Sequence, residues 1–343
     1  MLNIKKYFPT VFFVILSFIL LVGCGQTEVN NNAASTNGEQ ETKVDDKAES
    51  TNGEQETKVD DKAESSFPVT ITDGLGNEVT IEEEPQAIVS IIPSNTEIAF
   101  ALGLGDKMVG VGDWANYPPE VAEIERVGGA KFNVEKIISL NPDVVLAHAS
   151  SAHSSTEGLQ QLRDAGINVV VVNDASSFQA VYDSIKMIGT VTGTEENADK
   201  IISDMTEKLN LIKDKSAEIK EADQKVVWIE VDAQLYTTGK GTFMHEMLEA
   251  IGAINAAGDQ EGWPQFTEED AVLLNPDVIV ITYGYYVENA VEQVLNRDAW
   301  QEVPAVKDKL VFDINSDLVT ISGPRLIEGV EELAKAVYPD IYQ

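Results

Sequence analysis

The chain has 343 residues, with 58 acidic against 24 basic side chains and a formal charge of −34. That balance excludes a nucleic-acid binder, because phosphate contacts need a basic face. It also excludes attachment to anionic lipid through a polybasic patch. The single cysteine, Cys24, leaves no intrachain disulfide, so the fold must rest on its core. The acidity itself reads as adaptation of an exposed protein to an alkaline or salty medium.

Lys5 and Lys6 precede an apolar run from Val11 to Val22. A spanning helix needs about 20 apolar residues, so this run is too short to cross a bilayer and fits a signal-peptide core. It ends in Leu21-Val22-Gly23-Cys24, which resembles the bacterial lipobox, a small residue before a cysteine that is diacylated after cleavage. Residues 1–23 are therefore expected to be a signal peptide. Cys24 is expected to carry the lipid that holds the protein at the extracellular face of the cytoplasmic membrane, as in a Gram-positive bacterium. Residues 24–66 follow as an acidic tether. Ser35–Glu49 recurs letter for letter as Ser50–Glu64, each copy holding five acids against two lysines, a net of −3. So little apolar surface cannot offset the entropy of ordering, and the tether is expected to be disordered, with a reach of about 35 Å.

Past the tether, strand-like and helix-like segments alternate. A hairpin is predicted from Val69–Thr72 and Glu78–Ile81 around Asp73-Gly74. Apolar runs follow at Ala87–Ile92, Met108–Val111, Val144–Ala147 and Val169–Val172, and a second series at Val226–Val231, Val278–Ile281 and Leu310–Ile314. Helical periodicity lies between them, as at Glu97–Leu102, Leu159–Ala165 and Arg325–Val337. Short β-branched runs separated by helices predict an α/β protein with parallel central sheets in two Rossmann-like lobes. The lobes echo each other: residues 133–146 match residues 267–280 as a capped short helix, a Leu-Asn-Pro-Asp turn and a strand. Between the two series, Glu195–Ala222 carries one apolar stripe and predicts a connecting helix of about 40 Å. The expected layout is an N-terminal lobe at 67–176, a helical linker at 177–222 and a C-terminal lobe at 223–343.

Ligands of open α/β sheets bind beyond the carboxyl ends of the strands. In the first lobe those ends carry Ser94, Asn95, Trp114 and His148. In the second they carry Tyr236, Tyr283 and Tyr285, with the Trp263 loop nearby. Facing aromatics suit a large, flat, partly apolar ligand. His148 either coordinates a metal centre or serves as a hydrogen-bonded neighbour. The chain has no nucleophile elbow, zinc-protease motif or phosphate-binding loop, so it is read as holding a ligand rather than converting it.

The stretch Ile88-Val-Ser-Ile-Ile-Pro-Ser-Asn-Thr-Glu97, with Asp113-Trp-Ala-Asn-Tyr-Pro-Pro-Glu120, Tyr236-Thr-Thr-Gly239 and Gly262-Trp-Pro-Gln265, resembles a known family. It is similar to the class III substrate-binding lipoproteins of ABC importers for cobalamin, ferric siderophores and haem, and to the cobalamin branch in particular. One departure is Gly128-Gly129, where cobalamin binders often carry an aromatic. The resemblance implies two α/β lobes joined by one long helix and a monomer without a resident cofactor. It implies a small-molecule ligand, cobalamin or alternatively a ferric siderophore or haem, passed to an ABC permease dimer with its ATPase. It further implies that Glu135 and Glu269, at matching places on the repeated helix, dock that permease. A surface sensor or adhesin is the remaining reading. Only Arg126, Arg163, Arg297 and Arg325 supply arginine, which counts against a triply anionic catecholate siderophore.

Overall fold

The computed structural model describes residues 66–342. The signal peptide, Cys24 and nearly all of the acidic tether lie outside those residues. Among the described residues, no helix is long and apolar enough to cross a membrane.

Strands β1 (Val69–Thr72) and β2 (Glu78–Ile81) form the antiparallel hairpin, Val69 opposite Ile81. The buried Asp73 closes its turn, accepting the backbone N–H groups of Leu75 and Asn77 at 3.0 and 2.9 Å. The first lobe then runs β3 (Ile88–Ser90), α1 (Pro93–Ala101), β4 (Met108–Val111), α2 (Val134–Ser139) and β5 (Val144–His148). It continues through α3 (Ala149–Ala152), α4 (Thr156–Asp164) and β6 (Asn168–Val172). Its strands are all parallel, in the order β4-β3-β5-β6. Every residue of β3 and β5 is buried, the result expected of β-branched runs covered by helices on both faces.

Two helices leave this lobe. α5 (Phe178–Thr192) ends at Gly193, whose φ of 68° is open to glycine at little cost. α6 (Glu195–Ser216) packs closely on it, since a Cβ at Gly189 would stand 2.7 Å from that of Ala198. With 22 residues α6 is about 33 Å long, shorter than its sequence pattern implied. The last buried side chain of its stripe is Ile212; Ser216 takes the next stripe position, and beyond it the chain tightens into turns, the Glu218 and Ile219 N–H groups donating to the carbonyls of Lys215 and Ser216 at 3.2 and 3.0 Å. Asn197 near its start donates to the Leu102 carbonyl of the first lobe at 2.9 Å, and the Ile212 carbonyl near its end accepts from Tyr342 of the second lobe at 3.1 Å.

The second lobe runs β7 (Val226–Glu230), α7 (Phe243–Ala250), β8 (Ile254–Asn255), α8 (Glu268–Leu273) and β9 (Val278–Ile281). α9 (Ala290–Leu295), α10 (Pro304–Lys307), β10 (Val311–Asp313), α11 (Ser316–Thr320) and α12 (Leu326–Val337) complete it. Its parallel sheet has the order β10-β9-β7-β8. Counted within each lobe, both sheets read second, first, third, fourth. The sequence echo is thus a repeat of topology.

The repeated motif has a structural task. Asn133 caps α2 by accepting the Lys136 N–H at 3.0 Å, and Thr267 caps α8 by accepting that of Asp270 at 3.2 Å. Asn141 and Asn275, at the helix exits, both take φ of 49°, a conformation asparagine tolerates better than most residues. Asp143 then accepts the N–H groups of Gln86 and Ala87 at 2.7 and 2.9 Å, and Asp277 accepts that of Val226 at 2.8 Å. In each lobe the aspartate ties the helix exit to the start of the first strand.

Candidate functional site

A cleft of about 600 Å³ lies between the lobes at the carboxyl ends of the strands. From the first lobe come Ile92-Pro93-Ser94, Trp114, His148, Ser150 and Asp174–Ser176; from the second come Gly241–Phe243, Gly262-Trp263 and Thr320–Ser322. This is the position a doubly wound sheet offers a ligand, beside the gap between its first and third strands. A second cavity of about 630 Å³ is lined by Phe100, Tyr117, Arg325 and several carboxylates. It receives neither tryptophan nor the end of β5, and the cleft is therefore the candidate site.

The tryptophans are held from behind and exposed in front. Trp114 follows β4, is 59% exposed, and stands over Gly129, where a Cβ would come within 3.3 Å of the indole. Trp263 is 45% exposed and meets Phe243 edge to face, centroids 6.2 Å apart. Its loop is fixed by a short ladder: Thr237 N–H donates to the Pro264 carbonyl at 2.9 Å, and Gly239 N–H to the Gly262 carbonyl at 2.8 Å. Gly239 admits no side chain, because a Cβ there would lie 2.3 Å from the Gln260 carbonyl oxygen. Tyr236-Thr-Thr-Gly239 and Gly262-Trp-Pro-Gln265, distant in sequence, are therefore one hydrogen-bonded unit that presents Trp263. Two large apolar rings left in water on opposing lobes mark a surface built to be covered.

His148 ends β5 and is buried. Its Nδ1 accepts the Ser150 N–H at 3.3 Å and lies 2.8 Å from the Ser150 hydroxyl. Burial pushes its pKa below the ordinary histidine range, against an opposing pull from Asp174, so the ring is neutral near pH 7. With Nδ1 accepting, the proton of the neutral ring sits on Nε2. Ser94 also reaches the cleft.

The structure therefore gathers Ser94, Trp114, His148 and Trp263 in one cleft; four other expected site residues stand apart from its lining. Asn95 is fully buried, its amide donating to the Ala147 carbonyl at 2.9 Å. Tyr283 is 2% exposed and donates to Glu230 at 2.7 Å. Burial and the nearby carboxylate push its hydroxyl far above the ordinary tyrosine range, and it stays protonated. Tyr236 packs in the ladder beside Gln265, and Tyr285 is exposed with its ring against Tyr286. The cleft instead uses Ser150, Asp174, Phe243 and Thr320–Ser322, which sequence reasoning passed over. The Gly323-Pro324 turn signal just after α11 could have pointed to the last of these. Glu135 and Glu269 are both exposed, each in the first turn of its helix.

The electrostatics are spare. Asp174 is the one charged side chain in the lining, and no lysine or arginine reaches it. Hydroxyls of Ser94, Ser150, Ser176, Thr320 and Ser322 supply most of the polarity, while that of Thr242 is buried and donates to the Gly239 carbonyl at 2.8 Å. Among the described residues no group of three or more His, Cys, Asp or Glu side chains could hold a bare metal ion. The arrangement can stack on a flat ligand and hydrogen-bond its edge.

Comparison with known proteins agrees with this geometry. A family model described as periplasmic binding protein matches residues 88–318. The chain is 54% identical over 279 residues to an uncharacterised ABC transporter substrate-binding lipoprotein, YvrC, of Bacillus subtilis (strain 168), covering 81% of this chain and 88% of that one. It is 29% identical over 281 residues to a cobalamin-binding protein of Halobacterium salinarum, covering 80% and 75%. The solved structure of a possible iron-binding (periplasmic solute-binding) protein from Staphylococcus epidermidis superposes with a TM-score of 0.68 at 32% identity, covering 75% of this chain and 100% of that one. The chain belongs to the periplasmic binding proteins of class III, the substrate-binding components of ABC importers, which hold a small ligand for the permease and catalyse no reaction.

Proposed function

We propose that this protein captures a corrinoid, cobalamin or a close relative, in the cleft between Trp114 and Trp263 and delivers it to an ABC permease. The observation that carries the ligand class is the lining itself: two exposed indoles, several serine and threonine hydroxyls, a neutral histidine and, among the described residues, no lysine or arginine. A corrinoid is broad, partly apolar, and rimmed with neutral amides that hydroxyls can satisfy. Haem brings two carboxylates and a catecholate siderophore three negative charges, and nothing in this lining would offset either. The name of the Halobacterium relative agrees with a corrinoid. A second reading rests on Asp174, whose lone negative charge would favour a cationic ferric siderophore, in line with the name of the Staphylococcus structure.

In this reading the signal peptide exports the chain and the acylated Cys24 keeps it, as a monomer, at the outer face of the membrane. A tether of some 40 residues then holds it within reach of its permease at high effective concentration. Glu135 and Glu269 orient it there by pairing with basic residues of the permease dimer, giving register more than affinity.

Equilibrium titration with cyanocobalamin, haem and several ferric siderophores, followed by tryptophan emission, tests the ligand. Saturable quenching by cyanocobalamin alone is expected; saturation by haem or a siderophore without cyanocobalamin would overturn the corrinoid reading. The Glu135→Ala/Glu269→Ala double variant is expected to bind ligand normally and to abolish uptake in cells. Uptake at the wild-type rate would remove the docking role.

A further inference from the structure

Besides α6 and the bond from the Phe178 N–H at the start of α5 to Glu246 of α7 at 2.7 Å, a polar cluster beside the cleft ties the two lobes together. Glu97, on α1, is 4% exposed and accepts two hydrogen bonds from the guanidinium of Arg325, at 2.6 and 3.0 Å. The guanidinium carbon of Arg325 lies 3.8 Å from the centre of the Tyr117 ring. Next to it, the Asn116 amide donates to Asp317 of α11 at 2.8 Å. Gly323 permits the approach, since a Cβ there would stand 3.3 Å from the Glu97 carboxylate. Glu97, Asn116 and Tyr117 belong to the first lobe; Asp317, Gly323 and Arg325 belong to the second.

Each member of this cluster is close in sequence to a residue of the cleft. Glu97 is one helical residue-triplet beyond Ser94, Asn116 and Tyr117 follow Trp114, and Asp317 and Arg325 bracket Thr320–Ser322. Any movement at the cluster is therefore passed to the cleft walls through no more than a few peptide units. A lone helical connector fixes one side of a two-lobed body and leaves rotation about its ends. An attachment on the cleft side restricts that freedom. Stability alone is a poor reason for such a pair, because a buried ion pair gains little over apolar residues of similar volume. What a bidentate, stacked arginine does supply is fixed geometry.

We propose that Glu97, Arg325 and Tyr117 form a latch that sets the width of the cleft, making Glu97 and Arg325 positioning residues for ligand capture. The inference rests on the cleft being the ligand site, but not on which ligand occupies it.

The test uses the full chain with Cys24→Ser and spin labels at Gln160→Cys on α4 and Gln293→Cys on α9, both exposed. Interlobe distances are measured without ligand, in the parent and in Glu97→Met/Arg325→Met, which removes both charges and leaves none unpaired. The latch predicts that the distance distribution shifts or broadens by more than about 2 Å, the scale of domain rearrangement. It also predicts that cyanocobalamin binds at least tenfold more weakly. An unchanged distribution in a variant that still unfolds cooperatively would overturn the latch, because a merely structural pair would lower stability without moving the lobes. Should the methionine pair not fold, Asn116→Ala/Tyr117→Leu at exposed positions weakens the same tie and is read by the same distances. A shifted distribution together with no cyanocobalamin binding by the parent would uphold the latch and discard the corrinoid.

Discussion

The two lobes repeat one strand order yet fill the gap between their first and third strands with different chemistry, neutral groups in the first and a charged cluster in the second. In the first lobe β3 ends in Ser90, which accepts the Thr96 hydroxyl at 2.8 Å, and β5 ends in His148. Ser90 is buried and neutral, and the chain just past it, Ile92–Ser94, lines the cleft together with His148 at the end of β5. In the second lobe β7 ends in Glu230, which is fully buried and ion-paired to Arg297 at 2.6 and 2.9 Å. Trp228 donates to the same carboxylate at 3.0 Å and Tyr283 at 2.7 Å, so the gap is filled by its own polar cluster. The second lobe consequently meets the cleft with loops and the helix ends they join, Gly241–Phe243, Trp263 and Thr320–Ser322, in place of strand ends. Topology nominates a binding position; the side chains there decide whether it stays open.

The sharpest way to break this contrast is to unpair the filled gap. Glu230→Ala leaves Arg297 without its partner and is expected to lower stability by about 3–5 kcal/mol. Urea unfolding measures it; a loss under about 1 kcal/mol would mean the cluster is not the fixed plug described here. A milder change, Tyr283→Phe, deletes one charge-assisted hydrogen bond and is expected to cost about 1.5–3 kcal/mol in the same assay.

The first lobe's strand end has its own signature in pH. Burial holds His148 below its ordinary value of 6.5 in the fold, while the unfolded chain titrates near that value. Stability is therefore full above about pH 6.5 and falls as pH drops below it, because the unfolded state takes up a proton the folded state resists, until the folded state titrates too. The slope from one such group is at most about 1.4 kcal/mol per pH unit. His148→Gln should flatten the decline in urea midpoint between about pH 6.5 and 5 relative to the parent. Parallel curves would mean that the ring protonates as readily folded as unfolded.

This contrast also explains what the sequence could and could not disclose. The parallel sheets were readable because β-branched runs such as Val144–Ala147 and Val278–Ile281 are buried on both faces. The repeated Leu-Asn-Pro-Asp was readable because its Asn, Pro and Asp each meet a local backbone need. Trp114 and Trp263 stood out through their glycine and proline surroundings. β8, with two residues, is too short to leave a period, and its pairing with β7 is a tertiary event. Tyr283 reads as a surface aromatic until Glu230 and Arg297, 53 and 14 residues away, are brought to its hydroxyl. Asn95 sits one residue from the cleft-lining Ser94, yet helix geometry turns it to the Ala147 carbonyl. Local signals located the strands and the exposed rings, and long-range polar partners decided which tyrosines and amides were already spoken for.

The central claim is that the second lobe grips its ligand through a loop tryptophan and not through the tyrosine at its strand end. Cyanocobalamin affinity of Trp263→Ala, measured beside that of Tyr283→Phe, tests it most directly. A loss of at least about tenfold, or about 1.4 kcal/mol, is expected for Trp263→Ala and none for Tyr283→Phe. Equal losses, or a loss confined to Tyr283→Phe, would contradict it.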